Sequence, residues 1–286
     1  MMNKLQTLGA AAVLALGMAT QAVAAPIFTV DPRVIGNDLK EGLGIANQPF
    51  QSDFIGGTAS SLVTYDGTTI TGAGFVEFTG FNKVGGGSHG SGISGLGDTY
   101  QLWSTFQYTA NLVSGTFGVP VSIADITSLT YEIWASTNAD NFGDSSTTTF
   151  SSSSLVGGGT AATVTPGATA QKIGFGSLLP GGGIGGAVLN AQGGTGFNVT
   201  ASYENTLFGS SFFTVPKPFY NVSFSQFNNT QQGVAIGKNQ QGQPYIIAIN
   251  SATGGLDFNR IPEPATLGLM GLGLLGLGAV SKRRKA

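Results

Sequence analysis

The chain has 286 residues, with 46 Gly, 11 Pro, one His and no Cys, and its 12 basic and 14 acidic side chains leave a net charge of −2. Without Cys there is no disulfide framework, zinc-thiolate centre, iron-sulfur cluster or thiol nucleophile, and a single His removes paired-His metal sites, so no cofactor is expected. Glycine at more than twice its usual ~7% argues against a helical fold, an apolar share of 41% argues against disorder, and the balanced charge gives no footprint for nucleic acid.

The first element is a signal peptide. Lys4 precedes an apolar run from Leu8 to Met18, and small residues follow. Ala22 and Ala24 form the small-x-small pair, so cleavage is expected between Ala24 and Ala25, by signal peptidase after passage through the Sec translocon. The apolar core is too short to span ~30 Å of hydrocarbon as a retained anchor.

Residues 25–260 then read as one secreted β-rich domain. Short alternating runs predict strands at Ser61–Tyr65, Phe75–Phe81, Tyr100–Ala110, Ser128–Ala135, Ile173–Leu178, Phe197–Tyr203, Phe219–Phe227, Gly233–Ile236 and Tyr245–Asn250. No stretch between the terminal signals keeps a helical stripe. Many strands without interleaved helices favour an all-β antiparallel sandwich or jelly roll. The Gly-rich stretches 85–97 and 181–196 and the Ser/Thr tract 145–154 read as exposed, mobile loops.

Candidate chemistry is sparse. His89 lies in a glycine loop with no nearby carboxylate to orient it and reads as a solvated loop residue rather than a catalytic base. GxGxxG spacings at Gly90, Gly181 and Gly271 lack the strand-then-helix context that gives them meaning. Asn138, Asp140, Asn141 and Asp144 could surround a cation, but the run lacks the terminal Glu of a calcium loop and reads as a turn. No catalytic or metal site is expected. Strand parity sets Trp103 among Gln101, Thr105 and Gln107, and Trp134 beside Thr130 and Glu132, on the polar faces. Both Trp side chains are therefore expected to point outward, where a flat ring stacks on a sugar.

The C-terminal stretch holds three pieces in order. Pro262 and Pro264 keep Glu263 extended. Ala265 to Val280 give 16 uncharged residues, about 24 Å of helix, and the five glycines in that run are tolerated in lipid. Lys282, Arg283, Arg284 and Lys285 follow as a basic stop tail that stays cytoplasmic while the preceding domain faces outward. Residues 25–261 alone carry 7 basic and 13 acidic groups, or −6, so acidic polysaccharide would need bridging cations or neutral-sugar contacts.

The tripeptide, the Gly/Leu helix and the basic cluster over 261–286 resemble the PEP-CTERM sorting signal. That resemblance implies recognition by the membrane peptidase exosortase, removal of a transient transmembrane helix, and a final extracellular or cell-surface location. Asp53–Gly57, Glu77–Phe81, Thr99–Leu102, Pro218–Tyr220, Phe227–Gly233 and Asp257–Arg260 are similar to segments of flocculation-associated PEP-CTERM proteins. The similarity implies a non-enzymatic structural or adhesive protein of the extracellular polymer matrix that acts with exopolysaccharide in floc or biofilm formation. A carbohydrate-binding module with a specific glycan is the alternative, ahead of a secreted hydrolase.

Overall fold

A computed structural model describes residues 26–35, 48–137, 147–230, 233–242 and 244–259. The signal peptide, the polar run from Asn138 to Asp144, and the expected membrane helix with its basic tail lie outside the described residues.

The short strands β1 (Phe28–Val30) and β2 (Phe50–Ser52) precede four long ones, β3 (Phe54–Tyr65), β4 (Ile70–Asn82), β5 (Tyr100–Ser114) and β6 (Ser122–Thr137). A small hairpin follows, β7 (Thr149–Ser151) and β8 (Thr163–Thr165). Next come β9 (Gln171–Ser177), β10 (Ala187–Leu189), β11 (Thr195–Ser202), β12 (Glu204–Asn205) and β13 (Phe213–Val215). The described chain ends with β14 (Val222–Asn228), β15 (Val234–Lys238) and β16 (Pro244–Asn259). All nine expected strands are present, and the described helices are single turns such as Ser91–Ser94 and Gly209–Phe212.

The sheet is antiparallel and closed. β10 pairs with β11 on one side and with β6 on the other, completing an eight-stranded ring in the order β6, β10, β11, β14, β16, β3, β4, β5. Expectation and structure part here: the open-edged sandwich or jelly roll is replaced by a barrel. The closing strand lies inside the glycine-rich run 181–196, which is therefore part of the wall and not a free loop. Beyond β10 along the wall, β9 takes its place beside β6 and carries β12 on its outer edge.

Glycine lets such long strands curve. A Cβ at Gly74 would strike the Ser60 carbonyl, and one at Gly254 would strike the Gln226 carbonyl, so both positions need the bare backbone. Inward positions then alternate with outward ones, with Ile70, Val76 and Phe78 inside and Thr71 and Ala73 outside.

One end of the barrel is plugged. The three-stranded sheet β13-β1-β2 brings Phe28 and Phe213 against Phe258 of β16, with ring centroids 5.3 and 5.4 Å away. Phe219 stacks on Phe213 at 5.1 Å, and Tyr203 sits 4.6 Å from Phe258. Edge-on rings of this kind give more than their buried area alone.

The Ser/Thr tract, where it is described, is pinned rather than mobile. Ser153 is buried, its Oγ donates to the Ser61 carbonyl at 2.8 Å, and the Asn250 amide donates to the Ser153 carbonyl at 2.9 Å. His89 is likewise held, not solvated: its ring lies 4.7 Å from that of Phe50, and Nε2 is 2.8 Å from the Gln51 carbonyl oxygen. A short strand of the plug, unannounced by any long alternation, supplies both contacts.

Candidate functional site

The outer wall across β4, β5, β6, β9 and β12 carries rows of cross-strand neighbours. One row runs Glu77, Trp103, Trp134, Lys172. The next runs Phe75, Thr105, Glu132, Phe175, Glu204, and a third runs Ala73, Gln107, Thr130, Ser177.

The tryptophans do face outward, as parity requires, but Trp103 is covered and Trp134 is partly covered. Trp103 is only 1% exposed. The hairpin β7-β8 lies over it and inserts Phe150 between the Trp103 ring (6.3 Å) and the Phe75 ring (5.2 Å). This corrects the expectation of an exposed Trp103, because a segment distant in sequence covers the polar face of β5. Trp134 is half-buried, and the Lys172 ammonium sits 5.1 Å above its ring while reaching Glu132 at 2.6 Å. Burial raises the Glu77 carboxyl above its ordinary range at the other end of the same row.

Phe175 is the aromatic side chain presented instead, 39% exposed between Glu132 and Glu204. Strand parity in the sequence hides it. Ile173 and Phe175 share a parity, yet Ile173 is fully buried, because a bulge pairs Ile133 with Gly174 and Trp134 with Lys172. The bulge leaves Ile173 unpaired and turns Phe175 outward.

Around Phe175 lies a cleft of about 1020 Å³, bordered by Thr105, Gln107, Thr130, Ser177 and Ser202 and flanked by Ala162 near the hairpin. A smaller depression of about 460 Å³ shares Ala73, Gln107 and Thr130 with it. There the hydroxyls of Thr64 and Thr71 lie 2.8 Å apart, and those of Thr109 and Ser128 lie 2.7 Å apart. The two adjoin as one furrow in which hydroxyls and the Gln107 amide lie among apolar groups, with Phe175 as its exposed ring and Leu62, Ala162 and Leu179 lining it as well. Glu132 is ion-paired and Glu204 is exposed, so neither is the buried acid that glycoside hydrolysis uses as its proton donor. Among the described residues no group of three or more His, Cys, Asp and Glu is placed to hold a metal ion.

Beyond this wall, after Asn259 closes β16, residues 260–285 match the family described as the PEP-CTERM protein-sorting motif. The chain carries a PEP-CTERM sorting motif. It contains Pro262, Glu263 and Pro264 and the basic Lys282, Arg283, Arg284 and Lys285. The motif implies processing by exosortase, export, and transient membrane anchoring before sorting. No curated protein and no solved structure matches the chain. Among the described residues no helix is long and apolar enough to cross a membrane, and the expected span 265–280 lies outside them.

One carboxyl away from the furrow has a measurable effect. Asp257 is pushed up to about 6, chiefly by burial and with a smaller push from the Asp53 charge, against the Phe258 N–H that donates to its Oδ1 at 2.6 Å. The folded protein thus holds this proton more tightly than the unfolded chain does. The associated stability is present below about pH 4 and is lost as pH rises through about 6. Asp257→Asn is expected to leave urea stability near pH 4 unchanged and to raise it near pH 7 by roughly 1 kcal/mol after solvent screening. Equal gains at the two pH values would contradict this.

Proposed function

We propose that this chain is a non-enzymatic, exported protein of the extracellular polymer matrix that promotes floc or biofilm formation by holding exopolysaccharide on its outer wall. On this reading signal peptidase and the Sec translocon handle residues 1–24, residues 25–260 form the secreted domain, and 261–286 are discarded at sorting, leaving the domain extracellular or on the cell surface. The observation that carries the proposal is the furrow beside Phe175. A sugar ring offers one apolar face and a rim of hydroxyls, which an exposed aromatic ring set among Thr, Ser and Gln side chains complements. The wall lets neutral sugars bind without direct ion pairing, in keeping with the −6 charge of the region 25–261.

The test is equilibrium retention on exopolysaccharide purified from the producing cells. Phe175→Ala is expected to weaken binding about tenfold, or roughly 1.4 kcal/mol, while the melting temperature moves by only a few degrees. Undiminished retention in a folded Phe175→Ala protein would remove the furrow from the account. The same furrow also suits a carbohydrate-binding module, and one glycan bound far more tightly than others of similar size would favour that second reading over a general matrix scaffold.

A further inference from the structure

The interior of the barrel has a different chemistry from its wall. An eight-stranded barrel is just wide enough for side chains to fill it or to admit one small ligand. Here the plug end is filled by packed rings, but farther along the lumen Ala59, Ser61, Ser104, Ala124, Ser225 and Ala252 line the wall in place of larger side chains. They leave a cavity of about 120 Å³ between Val76, Leu129, Phe227 and Leu256, and no charged side chain lines it. An apolar cavity of ~150 Å³ engineered in another protein stays dry and takes up benzene, so this space has the size and surface for a comparable apolar group.

The cavity has an opening. It is only partly enclosed, and Phe117, Gly118, Ser122 and Ile123 at the β5-β6 hairpin are among the residues around it. That hairpin closes over the mouth with Phe117, whose ring stacks on Tyr65 at 5.0 Å. Its exposed rim is apolar, with Val113, Val119 and Val121 open to solvent. Val121 adopts φ 67°, a conformation that a β-branched residue rarely takes. Its N–H donates to the Leu189 carbonyl of the closing strand at 2.8 Å, which holds the strained residue and its apolar side chain at the entrance. Strain of this kind persists where surrounding structure fixes it and tends to gather at ligand-contacting positions.

We infer that the lumen is a binding site for the end of a single uncharged alkyl chain, with about six carbons inside the barrel and the polar end of the molecule at the valine rim. The inference concerns the inside of the barrel and does not depend on the sugar-binding reading of its outside. An alkyl chain is favoured over a compact aromatic because the exposed Val113, Val119 and Val121 belong to the same β5-β6 hairpin whose Leu112 and Phe117 line the cavity.

The probe is 1-octanol, titrated into the purified protein by calorimetry at two temperatures. The expected result is saturable one-to-one binding with a negative heat-capacity change, unaffected by soluble exopolysaccharide. Ala124→Leu, which fills the space from β6, is expected to weaken binding at least tenfold with the fold retained. Ser104→Leu, on the neighbouring strand, serves the same purpose should the first variant not fold. The absence of saturable heat up to the solubility limit of octanol, or unchanged affinity in a folded lumen-filled variant, overturns the assignment. Competition by soluble exopolysaccharide overturns it as well, since that places octanol on the outer wall.

Discussion

Gly254→Val is expected to lower the melting temperature by roughly 10–15 °C or to prevent recovery of folded protein, because a side chain there meets backbone and not movable atoms. The Cβ would overlap the Gln226 carbonyl oxygen of β14 and lie 2.7 Å from the Phe227 Cα. Relief requires β14 and β16 to separate, and those strands are paired continuously from Val222–Asn259 to Asn228–Thr253. A cost of about 3–5 kcal/mol follows from forced backbone movement in a packed wall. Gly80→Ala is the matched control. It lies in β4 with nothing within 4 Å of the added carbon, and its stability should change by less than ~0.5 kcal/mol. Thermal melts of the two proteins side by side decide the matter, and similar losses in both would show that strand glycines act here only through their propensity.

Trp103→Ala is expected to cost about 3–5 kcal/mol, the range for deleting a fully buried aromatic side chain. The residue is among the largest that the fold buries completely, although it lies on the outside of the barrel. Its loss removes one side of the slot that receives Phe150. Phe150→Ala should therefore cost less in the Trp103→Ala background than in the parent, and a double-mutant cycle measures the difference. Strict additivity would mean that the hairpin is held by its polar contacts alone. Because Trp103 has almost no exposed surface, a folded Trp103→Ala protein should retain exopolysaccharide far better than Phe175→Ala does.

Alternation at period two revealed each long strand in part, since the barrel wall buries one face of each and a half-buried strand writes that pattern into its sequence, but β3 was legible only from Ser61 and β16 only as far as Asn250. The motif over 260–285 was equally legible, because its tripeptide, apolar run and cations are contiguous. Closure was not. It rests on Ala187, Val188 and Leu189, three residues in a glycine-rich run with no alternation long enough to notice. The furrow was half visible. Parity placed Trp103 and Trp134 on the correct side of the sheet, but parity carries no information about what crosses above, where Phe150 lies against Trp103 and Lys172 sits over one face of Trp134. Phe175 was missed for a separate reason, as the bulge at Ile173 reverses the phase midway along β9.

The position of the last strand has a mechanical implication. β16 remains hydrogen-bonded to β14 as far as Asn259, and the sorting tripeptide begins at Pro262. Three residues reach at most about 10 Å. While the tail anchors the molecule, this short stalk keeps the tripeptide within about 10 Å of the aromatic-plugged pole of the barrel. A peptidase working at the tripeptide has to do so in the narrow gap beneath a rigid body, so lengthening that stalk with a few flexible residues should hasten release.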